Sequence, residues 1–255
     1  MKKQPTEREA EAGYRRSQRA GTGGTVRKPS KTIGAAAAVL WTVFWITAVI
    51  LWIAGDGGLM GTEMLRCAPP ETTGLAAAEY PGVSGMTAGY LTGQTDEFQY
   101  TVTDSAGHEV PCFRDYEAFH MADCRRLIFL DRTVMILAGV TALVLTAAGL
   151  LRGKRERFCR GILTGLRITG GVLAALLIWA LADFDGLFVT FHRVAFPNGG
   201  WLLNPETDLL IRLMPLNFFI SLGIRGAMRA LATPVVLAAA ARIGIHRARS
   251  KEQKA

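Results

Sequence analysis

Residues 33–54, IGAAAAVLWTVFWITAVILWIA, form an unbroken run with no charged side chain. A helix needs about 20 mostly apolar residues to cross the roughly 30 Å hydrocarbon core of a bilayer. This run meets that requirement and reads as the first membrane span. Working outward, residues 133–151 and 161–183 form a second and third apolar stretch, and 218–241 a fourth; the third contains Arg167, and the fourth contains Arg225 and Arg229. Half of the chain is hydrophobic, only 20% is charged and the mean hydropathy is +0.23, which excludes an ordinary soluble domain. The expected architecture is an all-α polytopic membrane protein of four transmembrane helices, with a small extracytoplasmic α+β domain between the first and second.

Charge gives the orientation. Residues 1–32, the connection after the second span (152–160) with the start of the third, and the tail 242–255 hold 20 of the 29 basic residues and every lysine, against five of the 21 acids. Short cytoplasmic flanks retain Lys and Arg, so both termini are expected in the cytoplasm, and residues 55–131 and 184–217 on the outer side. The +8 net charge is concentrated beside the spans, which favours topology and anionic lipid over nucleic acid as its explanation. The first span starts too far along the chain and is too long for a cleaved signal peptide, and is expected to stay as an anchor.

Residues 1–32 are polar and charged with no apolar period, and are expected to be disordered. In the outer segment 55–131, EFQYTVT alternates Phe98, Tyr100 and Val102 with polar residues, and a Gly-bearing link leads to EVPCF, the pattern of a β-hairpin. Asp115 then fits a helix N-cap for YEAFHMADCRRLIFL, which leads toward the second span. On that helix Glu117, His120 and Cys124 share a face, and Asp123 follows His120 at i+3. The segment 184–217 carries Pro-Asn-Gly-Gly and Pro-Glu-Thr-Asp, both turn signals, and reads as a compact loop over the helix ends. Cys67, Cys112 and Cys124 would share the outer side, leaving a disulfide between two of them open.

Four histidines occur, and two of them, His120 and His192, stand beside apolar spans on the expected outer side. Imidazole titrates near neutral pH and serves as general base or general acid. The same side chains with Asp123 or Glu117 would also suit a metal, but there is no short His-x-x-x-His or Cys-x-x-Cys pattern and none is expected. Arg225 is the candidate partner for an anion or oxyanion, because a charge within a span usually faces protein. Asn198, Trp201, Glu206 and Asp208 belong to a polar loop whose turn chemistry also accounts for them. No Gly-x-Ser-x-Gly occurs, Ser84 and Ser221 lack an obvious partner, and Cys124 is the one conceivable nucleophile.

The stretch FRDYEAFHMADCRRL, followed by FHRVAFPNGGWLLNPETDLLIRLMPLNFF with Arg225 ten residues beyond Pro215, resembles the lipoprotein intramolecular transacylases, Lit, a family of bacterial integral membrane proteins. ETTGLAAAEY and AGYLTG are weaker parts of the same likeness, which runs from about the first span to the fourth. The resemblance implies a four-span acyltransferase of the bacterial cell membrane with its site at the extracytoplasmic face. Its substrate would be a diacylated lipoprotein, whose sn-2 acyl chain moves from glycerol to the α-amine of the N-terminal cysteine and leaves an N-acyl lyso form. His120 and His192 match the family's histidines; Asp123, Asn198, Trp201, Pro205, Asp208 and Arg225 match other recurring positions. Ala195, Gly199 and Cys124 depart from the pattern, which bears on loop packing and acyl-chain fit.

This reading assigns His120 as base, oriented by Asp123, and His192 as acid, with Arg225, Asn198, Trp201 and Asp208 supporting substrate or oxyanion. No cofactor is expected, the partners are diacylated lipoproteins and membrane lipid, and the protein is expected to be a monomer. Two other readings use the same features: a metal-dependent membrane ester hydrolase, and a non-catalytic module of an envelope complex in which hairpin residues such as Tyr100 matter and the histidines do not.

Overall fold

A computed structural model describes residues 29–103, 108–152 and 154–253. Most of the disordered tail expected at 1–32 lies outside these residues; its last four begin helix α1, Pro29–Gly55. Four helical stretches are long and apolar enough to cross a membrane, Ser30–Gly55, Asp115–Leu151, Arg155–Ala182 and Leu216–Ser250. Between the first two lie α2 (Gly57–Cys67), α3 (Pro70–Thr73), a 3-10 turn and α4 (Tyr80–Thr92), then a two-stranded sheet of β1 (Thr101–Thr103) and β2 (Glu109–Pro111). The strands are antiparallel with Val102 opposite Val110, so the expected hairpin is present but short, and helices make up most of this segment.

Local chemistry sets the boundaries. Asp56 caps α2 by accepting the Leu59 N–H at 2.9 Å, and Gly93, at φ +83°, ends α4 in the left-handed conformation that costs glycine little. Helix α5 (Asp115–Leu151) starts one residue earlier than expected, because Arg114 and not Asp115 occupies the cap position, and its N–H is taken by the Glu117 carboxylate at 2.8 Å. At 1.5 Å per residue this single helix is roughly 55 Å long, well beyond a bilayer core. Its early turns, which carry His120 and Asp123, therefore extend past the apolar stretch 133–151 as one rigid rod.

Helix α6 (Arg155–Ala182) passes by one residue into α7 (Phe184–Ala195), where a compact loop was expected. Asp183 creates the new start by accepting the Gly186 N–H at 2.8 Å, and no helix breaker follows until Pro197. The turn signals act only afterwards, in residues 196–208, before α8 (Leu209–Leu213). The fourth apolar stretch is two helices, α9 (Leu216–Ala230) and α10 (Ala232–Glu252). Pro234 has no N–H to give Ala230 and its ring crowds that carbonyl, which is tolerated in the first turn of α10 but not in a continuous helix.

Helix α1 is the axis of the bundle, lying along both α5 and α6. Small residues bring it close to α6: a Cβ on Gly161 would lie 2.2 Å from the Lys31 carbonyl oxygen, and one on Gly165 2.4 Å from that of Ala35. A separate apolar core forms where α2, α4, the hairpin, α8 and α9 close around the start of α5, with Met64, Tyr80, Phe98, Phe113, Leu213 and Phe218 buried. It fixes the two segments that flank the spans against each other.

Candidate active site

His120 projects from the second turn of α5 and His192 from the last turn of α7, 72 residues apart in sequence. The fold sets their ring centroids 6.2 Å apart, with each residue only 8% exposed. Aromatic rings build the chamber. Phe196 lies 4.9 Å from the His120 ring and 5.4 Å from that of His192; Phe188 lies 4.1 Å, Trp201 5.2 Å and Phe191 5.3 Å from His192. Such walls remove water from the imidazoles without supplying a competing charge.

The hydrogen bonds distinguish the two rings. His192 Nδ1 lies 2.8 Å from the Phe188 carbonyl, which can only accept, so Nδ1 carries a proton and in the neutral ring Nε2 holds the lone pair. Burial pushes the His192 pKa below the usual histidine value, and the Phe188 carbonyl offsets part of this. His120 has its Nε2 3.6 Å from the Cys124 sulfur, and its buried Nδ1 has no hydrogen-bond partner among the described residues. A buried imidazole nitrogen without a partner is available to a bound substrate.

Asp123 does not hydrogen-bond His120. Its carboxylate takes Arg126 Nη1 and Asn198 Nδ2, both at 2.7 Å, because these donors meet it directly whereas the His120 ring turns toward Phe196 and His192. Asp123 thus ties α5 to the loop 196–208 beside the histidine pair. Asn198 completes the tie by accepting the Gly200 N–H at 3.0 Å, in a turn where Gly199 adopts φ +74°.

Asp208 is buried one layer away. It accepts from the Tyr116 hydroxyl, the Asn204 N–H and the Thr207 hydroxyl, with Arg114 3.7 Å away. Burial opposes its charge, but the hydrogen bonds from Tyr116, Asn204 and Thr207 outweigh it and hold the carboxyl below the usual range. Glu117 does similar work, joining α5 to the first residues of α8 by accepting the Leu210 N–H at 2.8 Å. Pro205 and Glu206 stand in the turn these bonds close.

Arg225 is not brought into contact with the histidines; its guanidinium bonds Glu63, which also takes Ser221. Arg229 lies over the Trp52 ring at 3.8 Å. Ser84 donates to the Pro81 carbonyl at 3.2 Å, and the four cysteines are free thiols, with no disulfide among Cys67, Cys112 and Cys124. Among the described residues, no group of three or more His, Cys, Asp or Glu side chains converges to hold a metal ion.

The sequence does not single out Glu63, Tyr116, Phe188 or Phe196. Phe188 stands four residues before His192 on one helix face, a usable local signal. Glu63 has none, since GGLMGTEMLRC reads as a helix with an exposed acid.

A helical membrane protein with two buried imidazoles meeting in an aromatic chamber is the class that this geometry defines. The family model described as lipoprotein intramolecular transacylase Lit matches residues 35–219, and the chain belongs to that family. Its family activity is that of an acyltransferase. A solved in meso structure of the membrane integral lipoprotein intramolecular transacylase Lit from Bacillus cereus shares the fold, with a TM-score of 0.68 at 20% identity, covering 86% of this chain and 96% of that one. Structures of two variants of the same Bacillus cereus protein, with one histidine replaced by arginine or by alanine, match with TM-scores of 0.62 and 0.63 at 18% and 19% identity. They cover 96% and 86% of this chain, and 100% and 94% of theirs. A comparison with curated protein sequences finds no match.

Proposed function

We propose that this protein moves the sn-2 acyl chain of a diacylglyceryl-cysteine lipoprotein to the α-amine of the same cysteine, using His120 and His192 for proton transfer. The observation that carries this reading is the pair itself: two imidazoles from separate helices, buried together, each with a nitrogen available to substrate.

The amine nitrogen attacks the sn-2 ester carbonyl, forming the new C–N bond. One proton must leave nitrogen, and one must reach the glycerol oxygen as the C–O bond breaks; the net change moves a single proton between the two. The tautomer of His192 makes its Nε2 the better base for the amine. An α-amine with an ordinary pKa of about 7.7–8.0 needs little assistance from it. His120, through its free Nδ1, then delivers a proton to the departing oxygen, and the proton taken up by His192 passes to His120, so that both rings return to their starting state. This division reverses the one expected from the neighbours of His120, because Asp123 bonds Asn198 and Arg126. The Trp201 indole N–H, beside His192, is a neutral donor for the developing oxyanion. Asp123, Asn198 and Asp208 hold the loop that carries Trp201, and Arg225 braces α9.

Nucleophile and ester belong to one molecule, so holding them in an attack geometry supplies much of the acceleration. The positive-inside asymmetry supports both termini in the cytoplasm and the histidine chamber at the outer face of the cell membrane, where lipoprotein acyl chains lie. Mass spectrometry of the N-terminal fragment of a reporter lipoprotein tests the activity. Expression of the protein is expected to convert a diacylglyceryl fragment with a free amine into the N-acyl, S-monoacylglyceryl fragment. An unchanged diacylglyceryl fragment overturns the proposal.

A further inference from the structure

Glu63 is wholly buried on α2, far from both histidines in sequence, and its carboxylate gathers three side chains. Oε2 accepts the Ser221 hydroxyl at 2.6 Å and the Arg66 Nε and Nη2 at 2.9 and 2.7 Å, while Oε1 accepts Arg225 Nη2. Burial works against its charge, but the donors from Ser221, Arg66 and Arg225 prevail and hold the carboxyl below the usual range. Ser221 and Arg225 are four residues apart and so share one face of α9. Elsewhere the helix is held to α1 at Arg229, whose carbonyl accepts from Trp45 and whose guanidinium lies over Trp52; Phe218 is its only fully buried residue, and Ile224 and Met228 are mostly exposed.

From α9 a stack of rings leads to the candidate site. Phe219 lies 5.0 Å from Phe188, and Phe188 lies 4.1 Å from His192 while its carbonyl fixes the His192 tautomer. We infer that Glu63 is a positioning residue for His192: by clamping Ser221 and Arg225 it holds α9 at the register where Phe219 backs Phe188 against the imidazole.

A buried carboxylate is costly unless fully paired, and removing it leaves its donors unsatisfied. Without the clamp, α9 keeps the Trp45 bond to the Arg229 carbonyl and the Arg229–Trp52 contact at its far end, but the end that carries Phe219 keeps only apolar contacts, which do not fix register as hydrogen bonds do. Phe188 then loses its backing and the His192 ring gains water. The inference rests on His192 being the site residue proposed above, but its test need not pass through catalysis. His120 on α5 is the titratable group that meets the His192 ring; Phe191, Phe196 and Trp201 complete the contacts, and no carboxylate or guanidinium touches it among the described residues.

NMR titration of ring-labelled histidine in the purified full-length protein reads His192 directly, with its signal assigned by His192→Ala. In Glu63→Gln the His192 pKa should rise toward the ordinary value by about half a unit or more. Phe219→Ala should raise it in the same direction while leaving the Glu63 cluster intact. Should Glu63→Gln fail to fold, Ser221→Ala removes one donor from the same carboxylate and should give a smaller rise. A folded Glu63→Gln protein, or in its place a folded Ser221→Ala protein, with the wild-type His192 pKa overturns the inference. Failure of the wild type to produce the lyso form would count against the proposed activity and leave this result readable.

Discussion

His192 shows how two local facts can set the chemistry of one residue. Its Nδ1–H is bound to the Phe188 carbonyl, and aromatic rings lower its affinity for a proton, so at neutral pH it is an uncharged ring with one nitrogen free to accept. Acyl transfer that uses this nitrogen as base should therefore fall on an acid limb below about pH 6.5, the ordinary histidine value. Stability follows the same sign. As pH drops through that value the unfolded chain takes up the proton first, so the folded state loses stability toward the lower folded-state pKa. Melting temperatures of the wild type and His192→Gln, compared between about pH 5 and 8, should converge at the acid end if His192 is the cause. A constant difference across that range counts against it. Scarcity made this residue legible in the sequence, since only four histidines occur. Glu63 was not legible, because its burial depends on Ser221 and Arg225, about 160 residues away. For Asp123 the helical spacing to His120 was correct, but the carboxylate's partners are Arg126, one turn along, and Asn198, in a loop that no local pattern places beside it.

At the scale of elements, helix α5 carries one member of the pair and α7 the other, and α5 is tied to the loop and the helix that follow α7 by Asp123, which takes the Asn198 side chain, and by Glu117, which takes main chain. Glu117 is the strongest case: one oxygen accepts the Arg114 N–H and the other the Leu210 N–H, both at 2.8 Å. Glu117→Ala leaves both donors without a partner in a buried setting and should destabilise the fold by about 3 kcal/mol, measured by denaturant unfolding in detergent. Glu117→Gln retains one acceptor oxygen and should cost less; equal stability of all three proteins would refute the role. The apolar runs were readable from composition because span length is a physical requirement of the bilayer. The helix at Phe184–Ala195 was obscured by turn signals that begin only at Pro197, and the division of the fourth stretch depended on Pro234, whose effect falls on a carbonyl four residues earlier. The hairpin was visible through alternation at Phe98, Tyr100 and Val102, although only three residues in each strand pair.

For the whole molecule, α1 serves as the common wall of the bundle, and the segments 55–103, 108–114 and 184–215 pack together around the start of α5. The proposed orientation, with both termini in the cytoplasm, would present these segments outward. In a background with the four native cysteines replaced by alanine, Glu206→Cys should react with a membrane-impermeant thiol reagent on intact cells, and Arg249→Cys only after lysis. The reverse pattern would invert the topology. Family membership makes the chain an acyltransferase, and the buried imidazole pair is the part of the molecule on which the proposed chemistry turns. Its most direct test is transfer by purified protein on a diacylglyceryl lipopeptide, followed by mass spectrometry for the wild type, His120→Ala and His192→Ala. Loss of either imidazole should slow formation of the N-acyl lyso product by about 10²–10⁴-fold while the proteins remain folded. Undiminished product from both variants would contradict the account.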